Sequence, residues 1–336
     1  MPSVQLPSIP VSLLDRANAR AGQGPAEALA AVIARAGQAE RLGYHRFWVA
    51  EHHAVPGIAG SAPAVLMAAV AARTERIRVG SGGVMLPNHQ PLVVAEQTAT
   101  LQALFPGRID LGLGRSVGFT PAVRAALRQD KDAADAFADD LAELLGYLRG
   151  TAGITARPSD GGATPPFVLA TGKGVETAAK AGLAVVVGGP AYSGKASGLA
   201  LAALERYRRN FRPSSYYPEP YVIVSANVAV ADSAAAAEEL LLSEAWAMAL
   251  SRTRGEFPPL SPVSAIRDEQ MTARQQRLVA ESLAAAVAGT PEQVAAQLGR
   301  LLEATGADEL MVTTNTFDMA ALAGTDARLA ELFGLG

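Results

Sequence analysis

Three times along the 336 residues an amphipathic stretch runs into a glycine and then straight into a short apolar strand. The segments are AERLGYHRFWVA around Gly43, AAKAGLAVVVG around Gly182 and LEATGADELMVTT around Gly306. Glycine reaches the left-handed conformation that ends a helix without steric cost, so each segment reads as a helix handed directly to a strand. The alternation extends along the chain, with strand candidates at 9–14, 46–50, 77–85, 108–113, 167–170, 183–187, 221–230 and 309–313. Short apolar runs joined by helical crossovers make parallel sheets. Eight such units close most simply into an α/β (β/α)8 TIM barrel, a single domain over 1–336, with reactive groups on the loops after the strands. An open doubly wound sheet is the alternative. Two stretches exceed the repeat: 115–135 after the fourth strand and the proline-bearing 251–272 after the seventh. Each suits a lid or a plain surface connection.

Several function classes drop out on composition. The chain has no cysteine, which removes disulfides, thiolate catalysis and Cys-ligated zinc or iron–sulfur clusters. Its net charge is -3 and it has no basic block, which argues against nucleic acid as a partner. The start, MPSVQLPSIPVSLLD, lacks the charged and apolar regions of a signal peptide, and no window approaches the roughly 18 apolar residues of a membrane span. The expectation is a soluble, cytoplasmic protein without membrane contact.

The run FWVAEHH, 47–53, is apolar and aromatic until it ends in a carboxylate and two imidazoles. A buried strand that is polar only at its C-terminal lip is how parallel α/β folds deliver reactive groups to a mouth. Neighbouring residues of an extended segment face opposite sides, so Glu51 and His53 share one side and His52 takes the other. His-His spacing is poor for a metal, and only four histidines exist in all, so no metal is expected. An acid/base role for one of the two imidazoles is favoured, because neutral imidazole exchanges protons near neutral pH; holding the lip by hydrogen bonds is the plainer alternative for either.

Four further motifs surround this lip. In GSGGVMLPNHQP, 80–91, glycines strip side chains from the third strand, which suits the close approach of a flat ligand or of another backbone, or a bulge. IDLGLGRSVG, 109–118, lacks the spacing of a dinucleotide fingerprint, but Arg115 just past the strand suits a phosphate or a surface ion pair. In LATGKGVETAAKAG, 169–182, the Thr171, Gly172, Lys173, Gly174 turn leads from strand to helix and suits an anion, or an ordinary N-cap at Thr171. The stretch 189–196 nearly spells a P-loop, but Ala196 stands where magnesium needs a hydroxyl and Pro190 removes an amide, so ATP or GTP binding is not expected.

Taken together, SLLD at 12–15, FWVAEHH at 47–53, RIRVGSGGVMLPNHQPLVVAEQ at 76–97, GRIDLGLGR at 107–115 and GTPEQVAAQL with TGADELMV at 289–312 resemble the bacterial luciferase-like flavin-dependent monooxygenases. The resemblance implies a (β/α)8 barrel, commonly a homodimer, that binds reduced flavin mononucleotide (FMN) at its C-terminal mouth. It further implies a flavin reductase as supplier and O2 with a small organic substrate, such as an aldehyde, as co-reactants. By the same resemblance His52 matches the base near the flavin; Glu51 beside it then orients His52 or braces the barrel. Ser81, Gly82 and Gly83 match the bend under the ring, often made through a non-prolyl cis peptide. Arg115, Ala170, Thr171 and Gly174 match phosphate-side positions, with Gly114 leading to Arg115. Ala170 stands where luciferase has a carboxylate, and Val187-Gly188-Gly189-Pro190 replaces polar or aromatic residues beside the substrate pocket. A deazaflavin-dependent dehydrogenase and a non-catalytic flavin-binding protein are the alternatives within the wider superfamily.

Overall fold

The computed structural model describes residues 6–159, 161–170, 174–192 and 197–336. Its strands are β1 (Val11–Asp15), β2 (Arg46–Val49), β3 (Arg78–Ser81), β4 (Val84–Met85), β5 (Ile109–Gly114), β6 (Pro166–Leu169), β7 (Ala184–Gly188), β8 (Val222–Ala226), β9 (Val228–Val230), β10 (Val287–Gly289) and β11 (Glu309–Val312). Every pairing among them is parallel. β1 lies between β2 and β11, and β3 and β4 both pair with β5, so the sheet closes on itself. The result is a closed barrel of eight strands inside a ring of helices, as the alternation of the sequence predicts, and not an open sheet. Gly43, Gly182 and Gly306 carry φ of 81°, 67° and 54°, the left-handed conformation that the three helix-to-strand junctions require.

Two expected strands are not continuous. The stretch 77–85 is one barrel position built from two pieces, interrupted by a cis peptide between Gly82 and Gly83. The stretch 221–230 divides at Asn227: β8 stays in the barrel, while β9 pairs with β10 in a separate two-stranded sheet through Val228↔Val287. Side chains from the end of β11 enforce the division. The Thr313 hydroxyl donates to the Asn227 side chain, and the Val228 amide donates to Thr314 Oγ1 at 2.6 Å instead of to a neighbouring strand.

The strands are buried on both faces and their side chains alternate between two cores. Phe47 and Val49 face outward into the layer shared with the helices, whereas Trp48 faces inward with Leu14, Phe167, Ile223 and Met311. Gly80 makes room for this inner layer, because a Cβ there would lie 2.5 Å from the Trp48 indole nitrogen.

Below that layer the interior is charged. Arg46 donates from Nη1 to Asp110 Oδ2 at 2.9 Å and from Nε to both Glu309 oxygens at 2.9 and 3.0 Å. Arg78 donates to Asp110 Oδ1, the Trp48 indole N–H to Asp110 Oδ2, and Ser12 and Tyr221 to Glu309. Five strands and Tyr221, the residue before β8, thereby meet in one network with both carboxylates fully buried. A second buried cation, Arg35, joins Asp15 at the end of β1 to Asp326 of the C-terminal helix at 2.9 and 2.8 Å.

Removing one member of a buried ion network strands its partners without solvent. Asp110→Asn keeps the shape but leaves Arg46 and Arg78 short of a counter-charge, and should lower unfolding free energy by about 3–5 kcal/mol in denaturant titration. A loss under about 1 kcal/mol, the size expected of an exposed pair, would remove the network from the account of the barrel.

Candidate active site

The mouth of the barrel begins where β2 ends. Past Val49 the chain stays extended, and Glu51 and His53 fall on one side as the pleat requires. His53 Nε2 lies 2.6 Å from Glu51 Oε1. His89, from the loop after β4, brings its own Nε2 to within 2.8 Å of the same oxygen, while the Met85 amide donates to Glu51 Oε2 at 2.9 Å. The Gly82 amide donates to the Val49 carbonyl at 2.8 Å. The lip of β2 and the glycine-rich bend are therefore neighbours at one end of the molecule, and Glu51 is the tie between them. Burial pushes the Glu51 carboxyl up, but the His89 bond and charge, the Met85 amide and the His53 bond outweigh it and hold the group below the usual carboxylate range. His89 has no role in the sequence reading, although the motif that holds it is quoted there. Its partner lies 38 residues away and no local pattern announces the pair.

Ligand atoms of Glu51, His53 and His89 lie within 4.8 Å of one another, a set that can in principle take a metal ion. Two atoms bound to one tetrahedral zinc at its usual bond lengths stand about 3.3 Å apart. The two nitrogens here stand at 2.6 and 2.8 Å from one carboxylate oxygen, the spacing of N–H donors to a charged acceptor.

His52 takes the opposite side. Its amide is fixed to the Gly60 carbonyl at 2.9 Å, and its ring stacks on Phe119 with centroids 5.9 Å apart and planes 14° from parallel. Ring atom Nδ1 is buried and has no hydrogen-bond partner among the described residues. Burial first, and then the Arg16 charge and His53, push the imidazole down to about 4 against an opposing pull from Glu51. Arg16 leaves the end of β1 and is ion-paired with Glu244 of helix Ala234–Arg254.

These groups border a cavity of about 260 Å³. Its wall is apolar at Val55, Ile58, Phe119, Val123, Met248 and Phe257, and polar at Arg16, His52, His53, Thr120, Ser251 and Glu256. Both long stretches reach it. From 115–135 come Phe119 and Thr120, which caps helix Pro121–Ala126 through a bond from the Val123 amide. From 251–272 come Ser251, Gly255, Glu256 and Phe257. That segment is tied down: the Phe257 carbonyl accepts from the Gly57 amide at 2.8 Å, and the Leu260 amide donates to the Ala19 carbonyl at 2.9 Å.

The glycines of the bend leave no bare platform toward the barrel. A Cβ on Gly82 would lie 2.3 Å from Leu14 Cδ1, and one on Gly83 would lie 2.8 Å from the Gly112 carbonyl oxygen. At these positions the close approach is made by the chain's own atoms. Ser81 is fully buried, donating to the Gly112 carbonyl at 2.8 Å and accepting its amide at 3.0 Å, so it latches β3 to β5 where the ladder breaks. Gly114 ends β5, and the exposed Arg115 beyond it pairs with no carboxylate among the described residues. Ala170 is buried at the end of β6, and helix Gly174–Ala181 starts shortly after, where a Cβ on Gly174 would press on that of Ala170 at 3.0 Å. Thr171, Gly172 and Lys173 lie outside the described residues, as do 193–196 of the stretch that nearly spells a P-loop. No helix among the described residues is long and apolar enough to cross a membrane.

Comparison with known proteins agrees with this architecture. A protein of Escherichia coli K12 named luciferase-like monooxygenase is 38% identical over 319 residues, 94% of each chain. The crystal structure of apo-MsnO8 superposes with a TM-score of 0.88 at 34% identity, covering 98% of this chain and 99% of that one. The oxygenating constituent of 3,6-diketocamphane monooxygenase from Pseudomonas putida, solved in complex with FMN, shares the fold at 19% identity and a TM-score of 0.71, over 97% of each chain. A model of the luciferase-like monooxygenase family matches residues 9–309, and the chain belongs to that family.

Proposed function

We propose that this protein is a flavin-dependent monooxygenase that uses reduced FMN and O2 to oxygenate a small organic substrate with a largely apolar body. The observation that carries the proposal is the pairing, at one barrel mouth, of a half-buried histidine whose buried Nδ1 has no partner among the described residues with a mainly apolar cavity of about 260 Å³. An apolar cleft with few convergent polar groups is the usual form of a small-molecule site. The residues present suit the cofactor. The uncommitted Arg115 guanidinium and the start of helix Gly174–Ala181 stand at the same mouth, where the phosphate of FMN would find a fork of donors and exposed amides. The flavin, when bound, supplies the oxygen activation.

What remains for the chain is to bind, orient and keep dry. Arg115 and the start of helix Gly174–Ala181 would hold the cofactor phosphate, with the bend at Ser81–Gly83 beside them at the same mouth. Glu51 fixes the bend relative to the lip through His89 and the Met85 amide. His52 holds the proton that faces the reacting atoms, in a pocket lined by the apolar side chains of Phe119, Met248 and Phe257. A flavin reductase is the proposed supplier of reduced FMN. A second copy of the chain is the proposed partner for the face where Val65 and Val93 are exposed on adjoining helices, and the cytoplasm is the proposed location. The competing assignment, a deazaflavin-dependent dehydrogenase, would turn over without oxygen.

Titrating the purified protein with FMN, riboflavin and a deazaflavin, followed by flavin fluorescence, tests the assignment. FMN should bind most tightly, and Arg115→Ala should weaken FMN by about tenfold or more, the worth of one charge-assisted contact, while riboflavin is little affected. Equal losses for both ligands would remove Arg115 from the phosphate site, and preference for the deazaflavin would overturn the cofactor choice. In a coupled assay with a flavin reductase and a medium-chain aldehyde as probe, His52→Ala should lower oxygenation by about 10²-fold, with FMN affinity unchanged. Full activity in that variant would exclude His52 from the chemistry.

A further inference from the structure

We propose that His52 works as a neutral hydrogen-bond donor, carrying its one proton on Nε2 and presenting it to an oxygen in the cavity, and not as a base that takes a proton away. The inference rests on the site as assigned above and specifies what its histidine does there. It begins from the buried Nδ1, which has no partner among the described residues. A neutral imidazole places its proton on one nitrogen and a lone pair on the other. A proton on Nδ1 would be an enclosed donor without an acceptor, the rarest kind of polar defect in a folded protein; an unpaired lone pair is the milder one. The surroundings point the same way. Arg16 lines the same cavity, and its own Nε is a second buried nitrogen there without a partner among the described residues. A second proton would add a cation beside Arg16 in a place cut off from water.

The charged and titratable groups around the ring are Arg16 just past β1, Glu51 and His53 from the lip itself, and Glu256 across the cavity. Glu51 is occupied by His53 and His89, and Arg16, although tied to Glu244, is the larger charge influence on the ring. Phe119 stacks on one face and fixes the direction of the ring edge. A fixed neutral donor favours a transition state in which negative charge grows on the oxygen it faces, and needs no proton transfer to do so. A strongly depressed imidazole is a feeble base at neutral pH, whereas its donor strength is retained.

Nitrogen NMR of ¹⁵N-histidine-labelled protein without added flavin reads tautomer and titration directly, and only four histidines contribute signals. The His52 signals are identified by their loss in His52→Gln. The expected pattern is the Nε2–H tautomer at neutral pH, persisting as the solution is acidified through 6.5 and protonating only near 4. Because the folded group protonates below its unfolded value, its contribution to stability is complete above about pH 6.5 and declines as pH falls toward 4. In Arg16→Met the midpoint should move upward, toward the ordinary histidine value. A proton on Nδ1, or an imidazolium at neutral pH, would overturn the donor role. An unmoved midpoint in Arg16→Met would overturn the part given to Arg16. These results do not depend on flavin: a failed FMN titration with the Nε2–H tautomer present would refute the cofactor assignment alone.

Discussion

The interior charge network around Arg46 is the constraint that the barrel is built to satisfy. Two carboxylates without solvent access, Asp110 and Glu309, can persist as ions only if cations and hydroxyls from several strands reach them at once. Arg46, Arg78, Ser12 and the Trp48 indole do so from β1, β2 and β3, and Tyr221 from just before β8. A slip of one residue in any of these strands would turn its side chain to the outer face and leave the rest unpaired. Breaking any one contact strands the remaining charges without solvent, so the network ties these strands to one register. With the register fixed, Trp48 falls inside, Gly80 opposes it, and the ends of β2 and β3 arrive at the mouth side by side.

At the other end of the barrel Glu51 repeats the logic on a smaller scale. Its buried carboxylate accepts from two imidazoles and one amide, and so joins the lip of β2 to the chain beyond the Gly82–Gly83 cis peptide. The two adjacent residues thereby divide their work. Glu51 organises the mouth, while His52, turned to the other side by the pleat, is left unbonded at its ring and faces the cavity closed by Phe119 and Phe257.

Much of this was legible in the chain. The strand positions follow from apolar runs bounded by glycines, and the opposed faces of Glu51 and His52 follow from the period of two. The cis peptide at Gly82–Gly83 follows from resemblance, since glycine pairs alone suit several bends. Other features depend on contacts between distant residues and left no local trace. The division of 221–230 is imposed by Thr313 and Thr314, 86 residues further on. Strand β10 is three residues long, too short for its alternation to stand out. Asp110 and Glu309 look like ordinary polar strand starts until closure places them together. The stretch 251–272 has the composition of a loose connection, yet its backbone bonds to Gly57 and Ala19 make it part of the cavity wall.

The account stands or falls on where the cofactor sits. Hydrogen–deuterium exchange of the protein with and without saturating FMN locates that place without assuming any residue's role. Protection is expected in 50–60, 80–90 and 112–120, the segments that meet at the mouth, with the opposite end of the barrel around 40–46 and 76–78 unchanged. Protection concentrated at that opposite end, or none at the mouth under saturation, would contradict it.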